Sequence, residues 1–150
     1  MAEAASNSGH TLLFGRVTYQ LMAGYWPSPE ALKSDPIVAK GMNSSPKIGF
    51  SRTLQKAEWS NTQLVKDDVG GEVRKLKMRP GKGLTVLGRG SIVSQLAQEG
   101  LIDEYQVLLN PVAIGKGKTM FEDLREKLSL GLIDTRSFGN GNVLLRYAAK

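Results

Sequence analysis

Apolar positions along the chain fall into short blocks separated by glycine, proline and small polar residues, and the blocks alternate between two periods. Thr11-Leu12-Leu13-Phe14 is a continuous apolar run closed by Gly15, the pattern of a strand buried on both faces. Arg16 to Met22 follows, with Val17 and Leu21 four apart on one face of a predicted helix. Trp26-Pro27-Ser28-Pro29 ends that helix and permits a new start, because proline is tolerated in a first turn. Glu30 to Met42 is a weaker helical stretch that Pro36 breaks or restarts. Pro46 to Phe50 predicts a strand with Ile48 and Phe50 on one face. Trp59 to Val65 predicts a further strand near a sheet edge.

Asp67 or Asp68 then caps a helix whose Val69, Val73 and Leu76 form one stripe. Gly70 and Gly71 weaken it by up to ~1 kcal/mol each relative to alanine, and Arg79-Pro80-Gly81 stops it. Leu84 to Leu87 is another buried strand, followed by the glycine turn Gly88-Arg89-Gly90. Ser91 is the expected N-cap of a helix over Ile92–Glu99. Gly100 is its C′ residue, with Leu101 set to contact Leu96 in a Schellman ending. Glu104 to Leu109 predicts a strand closed by Asn110-Pro111, and Gly115 to Lys118 a basic loop before Met120-Phe121. Leu128–Phe138 and Val143–Tyr147 flank Gly139-Asn140-Gly141-Asn142, a strong hairpin signal. The order of elements predicts one α/β domain over residues 1–150, mostly parallel, with a C-terminal antiparallel hairpin. Residues 1–10 are expected to form a loose N-terminal arm, with His10 in solvent.

Composition narrows the chemistry more than the fold. The chain has 150 residues, 41% hydrophobic and 23% charged, as expected of one globular domain. It has no cysteine and one histidine, so thiolate chemistry is excluded and a histidine-based zinc site or catalytic triad has almost nothing to draw on. No run of about 18 apolar residues predicts a membrane span. The start lacks the basic and apolar regions of a secretory signal, and a cytoplasmic location is expected. The net charge of +6 comes without any nucleic-acid-binding motif, so a basic pocket for a phosphorylated small molecule is preferred to a nucleic-acid partner.

Three predicted strand ends carry similar chemistry: Gly15-Arg16-Val17-Thr18, Ser51-Arg52-Thr53 and Gly88-Arg89-Gly90-Ser91-Ile92. Each offers backbone donors and an arginine able to fork onto a phosphate. Ser51 to Thr53 also suits a plain polar turn. Together the three loops fit a ligand with several phosphates, such as a dinucleotide whose 2′-phosphate favours an arginine neighbour. Val93 stands where the Gly-x-Gly-x-x-Gly fingerprint has its last glycine, so this is not a standard Rossmann motif.

The segments LLFGRVTYQLMAGYWP (12–27), FSRTL (50–54) and VLGRGSIVSQLAQEGLIDEYQVLLNPVAIGKGKTMFED (86–123) resemble the dihydrofolate-reductase-like reductases. Within them the likeness is to the C-terminal domain of bacterial riboflavin-biosynthesis deaminase–reductases. The resemblance implies a three-layer α/β sandwich and an NADPH-dependent reductase, often a homodimer, acting on a pterin- or pyrimidine-like heterocycle. It implies that Gly15, Arg16 and Thr18 touch the cofactor's phosphates, that Ser51, Arg52 and Thr53 lie near the 2′-phosphate, and that Gly88 to Ile92 hold the pyrophosphate. It names no catalytic residue in this chain; Asp103 and Glu104, at a strand start, are expected to be structural.

Two departures stand out. Arg89 occupies a place where such proteins carry a small residue. Members also open with an apolar strand and a Ser-Leu-Asp-Gly-like loop, whereas only ten polar or small residues precede the strand at Leu12. The expectation is that the sheet closes up, that a partner chain fills the gap, or that the protein begins upstream. A non-catalytic nucleotide-binding or scaffolding remnant is the alternative to a working reductase.

Overall fold

A computed structural model describes residues 10–79, 83–87, 91–117, 121 and 124–150. Seven strands and five helices are formed among them. In chain order they are β1 (Thr11–Gly15), α1 (Arg16–Tyr25), α2 (Pro29–Ser34), α3 (Pro36–Ser44), β2 (Lys47–Phe50), β3 (Thr62–Val65), α4 (Val69–Met78), β4 (Leu84–Val86), α5 (Ser91–Gln98), β5 (Glu104–Leu109), β6 (Leu130–Ser137) and β7 (Val143–Ala149). The first four strands make a parallel sheet in the order β3-β2-β1-β4, and the last three a separate antiparallel sheet, β5-β7-β6.

The parallel sheet is the middle of three layers, because its strands alternate apolar side chains to both faces. Leu13, Ile48 and Phe50 meet Val73 of α4 and Ile92, Val93 and Leu96 of α5 on one side. Leu12 and Phe14 meet Tyr19 of α1, Val38 and Met42 of α3, and Trp59 on the other. The rings of Phe14, Tyr19 and Trp59 lie with centroids 5.7–6.4 Å apart, within the range where aromatic pairs attract.

Local signals account for most element ends. Ser28 accepts from the Ala31 N–H and Pro29 opens α2, while Pro36 opens α3, so the predicted break falls where expected. Asp68 accepts from the Gly71 N–H at 3.1 Å and caps α4. Gly70 and Gly71 have a packing reason: a Cβ at either would run into the carboxylate of Glu99 or Asp68. Helix α5 ends as predicted. Gly100 has φ +68, its N–H donates to Ala97 O, and the Leu101 N–H donates to Leu96 O, the two bonds of a Schellman motif. Gly141, with φ +94, turns the β6–β7 hairpin.

Four expectations are corrected. Val17 and Leu21 do share a face of α1, but they are 57% and 70% exposed, and the face that packs carries Tyr19, Met22, Ala23 and the adjoining Trp26. His10 is half-buried, not solvated, with Nδ1 2.9 Å from Thr85 Oγ1 of β4. The strand expected from Trp59 starts at Thr62, because Trp59 itself turns into the core. Closure of the sheet onto itself is also not what forms: among the described residues β4 and β5 each pair on one side only. The second sheet is attached by other means. Leu101, Ile102 and Phe121 pack against the α4–α5 core, and Lys77 Nζ donates to Leu101 O at 3.0 Å and Asp103 Oδ2 at 2.9 Å.

Candidate cofactor site at the carboxyl edge of the parallel sheet

Topology alone brings the carboxyl ends of the three strands together. β1 lies between β2 and β4, all parallel, so the segments after their carboxyl ends emerge side by side at one edge. In such sheets that edge is where ligands bind. The register places Gly15 opposite Phe50, one residue before Ser51. On the other flank the Leu87 N–H donates to Leu13 O at 3.1 Å, and Ile92 of α5 lies against Gly15, where a Cβ would sit 3.4 Å from Ile92 Cγ2. Gly88, Arg89 and Gly90 lie outside the described residues; the residues bracketing them, Leu87 and Ser91, belong to this edge.

Each helix that starts here has a different first turn. Gly15 is the N-cap of α1 and supplies no side-chain acceptor, and no acidic residue stands in the first turn. The leading N–H groups of a helix lack intrahelical partners and attract anions. α5 starts at Ser91, also with no acidic residue in its first turn. α4 differs: Asp68 caps it and Glu72 stands in its first turn. The Glu99 carboxylate also packs on Gly70 at that end, so α4 is already supplied with anions from its own chain. Among the described residues the N-terminus of α1 has neither a side-chain cap nor an acid, whereas that of α4 is filled.

The named side chains divide in the same way. Arg16 is exposed, its Nη1 donating to Gln20 Oε1 at 3.3 Å along α1, and Thr18 is half-buried. Ser51 is buried, and its hydroxyl accepts from the Thr53 and Leu54 N–H groups at 3.2 and 3.0 Å. It forms the polar turn, while Arg52 and Thr53 face outward. Ile92 is a core residue, so only its backbone is placed to meet a ligand. Sequence reasoning missed one neighbour: Asp67 Oδ1 lies 3.2 Å from Arg52 Nε. Its signal was present, since residues 52 and 67 each stand two places beyond adjacent parallel strands.

Asp103 and Glu104, at the start of the second sheet, both stand in ion pairs. Asp103 pairs with Lys77, and Glu104 accepts from Arg146 Nε on the neighbouring strand β7. That hydrogen bond holds the Glu104 carboxyl below its usual range.

The opposite, amino edge is built differently. Lys47, 2% exposed, donates from Nζ to the carbonyls of Met42, Asn43 and Ser45 at 2.8–3.1 Å. It thereby satisfies the end of α3 and lies over the Trp59 ring at 4.5 Å. Burial lowers its pKa to about 8, while the carbonyls and the ring face favour the ammonium form. Asn43 accepts from Trp59 Nε1 at 2.7 Å and donates to Trp26 O at 3.1 Å. An open cavity of about 610 Å³ at this edge is lined by Thr11, Lys47, Trp59, Asn61 and Thr62 among others. It holds no open helix N-terminus, and the amine that lines it is already committed to three carbonyls. No group of histidine or acidic residues among the described ones forms a metal site, and no described helix is long and apolar enough to cross a membrane.

Comparison with known proteins identifies the fold and the family. Residues 2–144 match the RibD C-terminal domain. The uncharacterized protein YyaP of Bacillus subtilis is 32% identical over 141 residues, 94% of this chain and 74% of that protein. YwjB of the same organism is 32% identical over 73 residues, 49% of this chain and 41% of that protein. Among solved structures, a putative riboflavin biosynthesis protein from Shewanella superposes with a TM-score of 0.75 at 22% identity, covering 98% of this chain and 77% of that one. A pyrimidine reductase-like protein from Corynebacterium diphtheriae gives 0.60 at 14% identity, covering 95% and 76%. The two structures share the fold, and the match across nearly the whole sequence makes this chain a member of the reductase-like family of RibD C-terminal domains.

Proposed function

We propose that the protein is an NADPH-dependent reductase of a pterin- or pyrimidine-like heterocycle, with the cofactor held along the carboxyl edge of the parallel sheet. The carrying observation is the uncapped, acid-free start of α1 at Gly15, flanked by Arg52 on one side and the start of α5 on the other. Backbone donors from Arg16 to Thr18 and from Ser91 and Ile92 bind phosphate oxygens, and Arg52 and Thr53 take the 2′-phosphate. The cofactor supplies a hydride when bound; the chain supplies orientation and charge. Gly88, Arg89 and Gly90 belong to the same proposal as the pyrophosphate turn.

A homodimer in the cytoplasm is part of this reading. Leu132 and Ile133 on β6 are 58% and 51% exposed and offer apolar surface for a second copy; light scattering checks it. A binding domain without turnover is the second reading, favoured by the sides of β4 and β5 that have no strand partner among the described residues. The test is fluorescence titration with NADPH and NADH, followed by loss of reduced-nicotinamide absorbance in the presence of a ribosylaminopyrimidine or a dihydropterin. Tighter binding of NADPH with substrate-dependent oxidation is expected. Binding without oxidation selects the second reading, and equal affinity for the two cofactors removes the 2′-phosphate assignment.

A further inference from the structure

Arg52, the residue proposed to take the 2′-phosphate, has a carboxylate beside it. Its Nε lies 3.2 Å from Asp67 Oδ1. The pairing is set by the backbone. β2 and β3 are parallel with Phe50 opposite Val65, and the Ser51 N–H donates to Val65 O at 3.0 Å, continuing the ladder. Arg52 and Asp67 are therefore level, each two residues past that pair. Both turns are fixed from within: Ser51 Oγ holds the first by accepting from Thr53 and Leu54. Asp68, in the left-handed region at φ 56, holds the second by capping α4. Since the cap is Asp68, α4 does not depend on Asp67.

We infer that Asp67 is a specificity-determining residue that competes with the cofactor's 2′-phosphate for Arg52 and so limits the preference for NADPH over NADH. This rests on the cofactor reading above. A phosphate monoester carries about −1.5 to −2 charges at neutral pH. On reaching Arg52 it displaces the carboxylate or shares the guanidinium with it, and like-charge repulsion opposes it in either case. NADH has no phosphate at that place and meets no such opposition. Lys66 adds a positive charge next to Asp67 in sequence and Asp68 a second negative one, so the neighbourhood is balanced instead of uniformly basic.

The experiment is a titration of wild type, Asp67→Asn, Arg52→Ala and the double variant with NADPH and NADH. Adenosine 2′,5′-bisphosphate and 5′-AMP isolate the adenosine half, and thermal melts check that each variant is folded. Asp67→Asn is expected to tighten NADPH and the bisphosphate by roughly two- to fivefold, the range set by an exposed charge pair, and to leave NADH and 5′-AMP unchanged. In the Arg52→Ala background the gain should shrink, because the group competed for is gone. An equal effect on phosphorylated and unphosphorylated ligands, or a full gain without Arg52, overturns the inference. A clear NADPH preference in wild type that Asp67→Asn leaves untouched overturns it while the cofactor reading stands. Equal binding of NADPH and NADH by wild type overturns both.

Discussion

The two ends of the same four parallel strands are finished in opposite ways. At the amino end a buried lysine is committed to three carbonyls, Asn43 joins Trp59 to Trp26, and Asn61 donates to Ser44 O at 3.1 Å. At the carboxyl end α1 begins on a glycine that supplies no acceptor, and Arg52 lies in solvent beside a single carboxylate. Polar groups satisfied within the chain stabilise it and leave little for a ligand. Donors left open are of use only to something that arrives. The cavity is at the first end, yet the open donors are at the second, and the donors are the better guide to an anionic ligand. α4 sharpens the point within one edge, because its N-terminus is occupied by Asp68, Glu72 and Glu99.

The largest expected break is at the amino end. Lys47→Met leaves the Met42, Asn43 and Ser45 carbonyls without their shared donor and should cost about 3 kcal/mol in denaturant unfolding. It should leave the relative affinities for NADPH and NADH unchanged. Lys47 also fixes a pH signature. Its folded pKa is depressed to about 8 from an ordinary 10.5, so between these values the unfolded chain binds more protons than the folded one. Stability of the wild type relative to Lys47→Met should therefore rise as pH increases from about 8 to about 10.5, by up to roughly 3 kcal/mol. Below pH 8 both states are protonated and the difference should be flat. A relative stability that falls over this window contradicts the burial of the ammonium.

At the carboxyl end the filled helix start is worth less. Asp68→Ala removes the α4 cap and should cost about 1 kcal/mol, measured by thermal or denaturant unfolding. Arg52→Ala should change stability by less than ~0.5 kcal/mol, since an exposed ion pair contributes little, and should erase most of the NADPH-over-NADH preference. A small structural effect is also expected of Gly15→Ala. Its φ of −74 is open to any residue, and the new Cβ meets Ile92 at an ordinary contact distance. Stability should fall by under ~1 kcal/mol, while a methyl group at the open N-terminus weakens both cofactors alike.

How legible the chain was depends on how local each signal is. The strand–glycine–helix junction at Phe14-Gly15-Arg16, the break at Pro36, a cap at Asp67 or Asp68 and the Schellman ending at Gly100 each follow from a few adjacent residues, and each formed, with Asp68 as the cap. The packed face of α1 was misjudged because Val17 and Leu21 have the right spacing but Tyr19 meets Phe14 and Trp59, partners distant in sequence. Lys47 in an otherwise apolar strand and the contact of His10 with Thr85 depend on what lies across the sheet, which no local pattern carries. The three glycine- and arginine-bearing segments were readable as a set in sequence, and strand order brings the carboxyl ends of β1, β2 and β4 to one edge. Ser51 proved to serve its own turn, and Asp67 entered only through the parallel register of β2 and β3.

The central claim is that the carboxyl edge, and not the cavity at the amino edge, receives the dinucleotide. Backbone amide NMR during titration with NADPH tests it directly. The account predicts the largest shift changes at Gly15 to Thr18, Arg52, Thr53, Ser91 and Ile92, with Asn43, Lys47, Trp59 and Asn61 unmoved. Shifts centred on Lys47, Trp59 and Asn61, with the Gly15 turn silent, would contradict it.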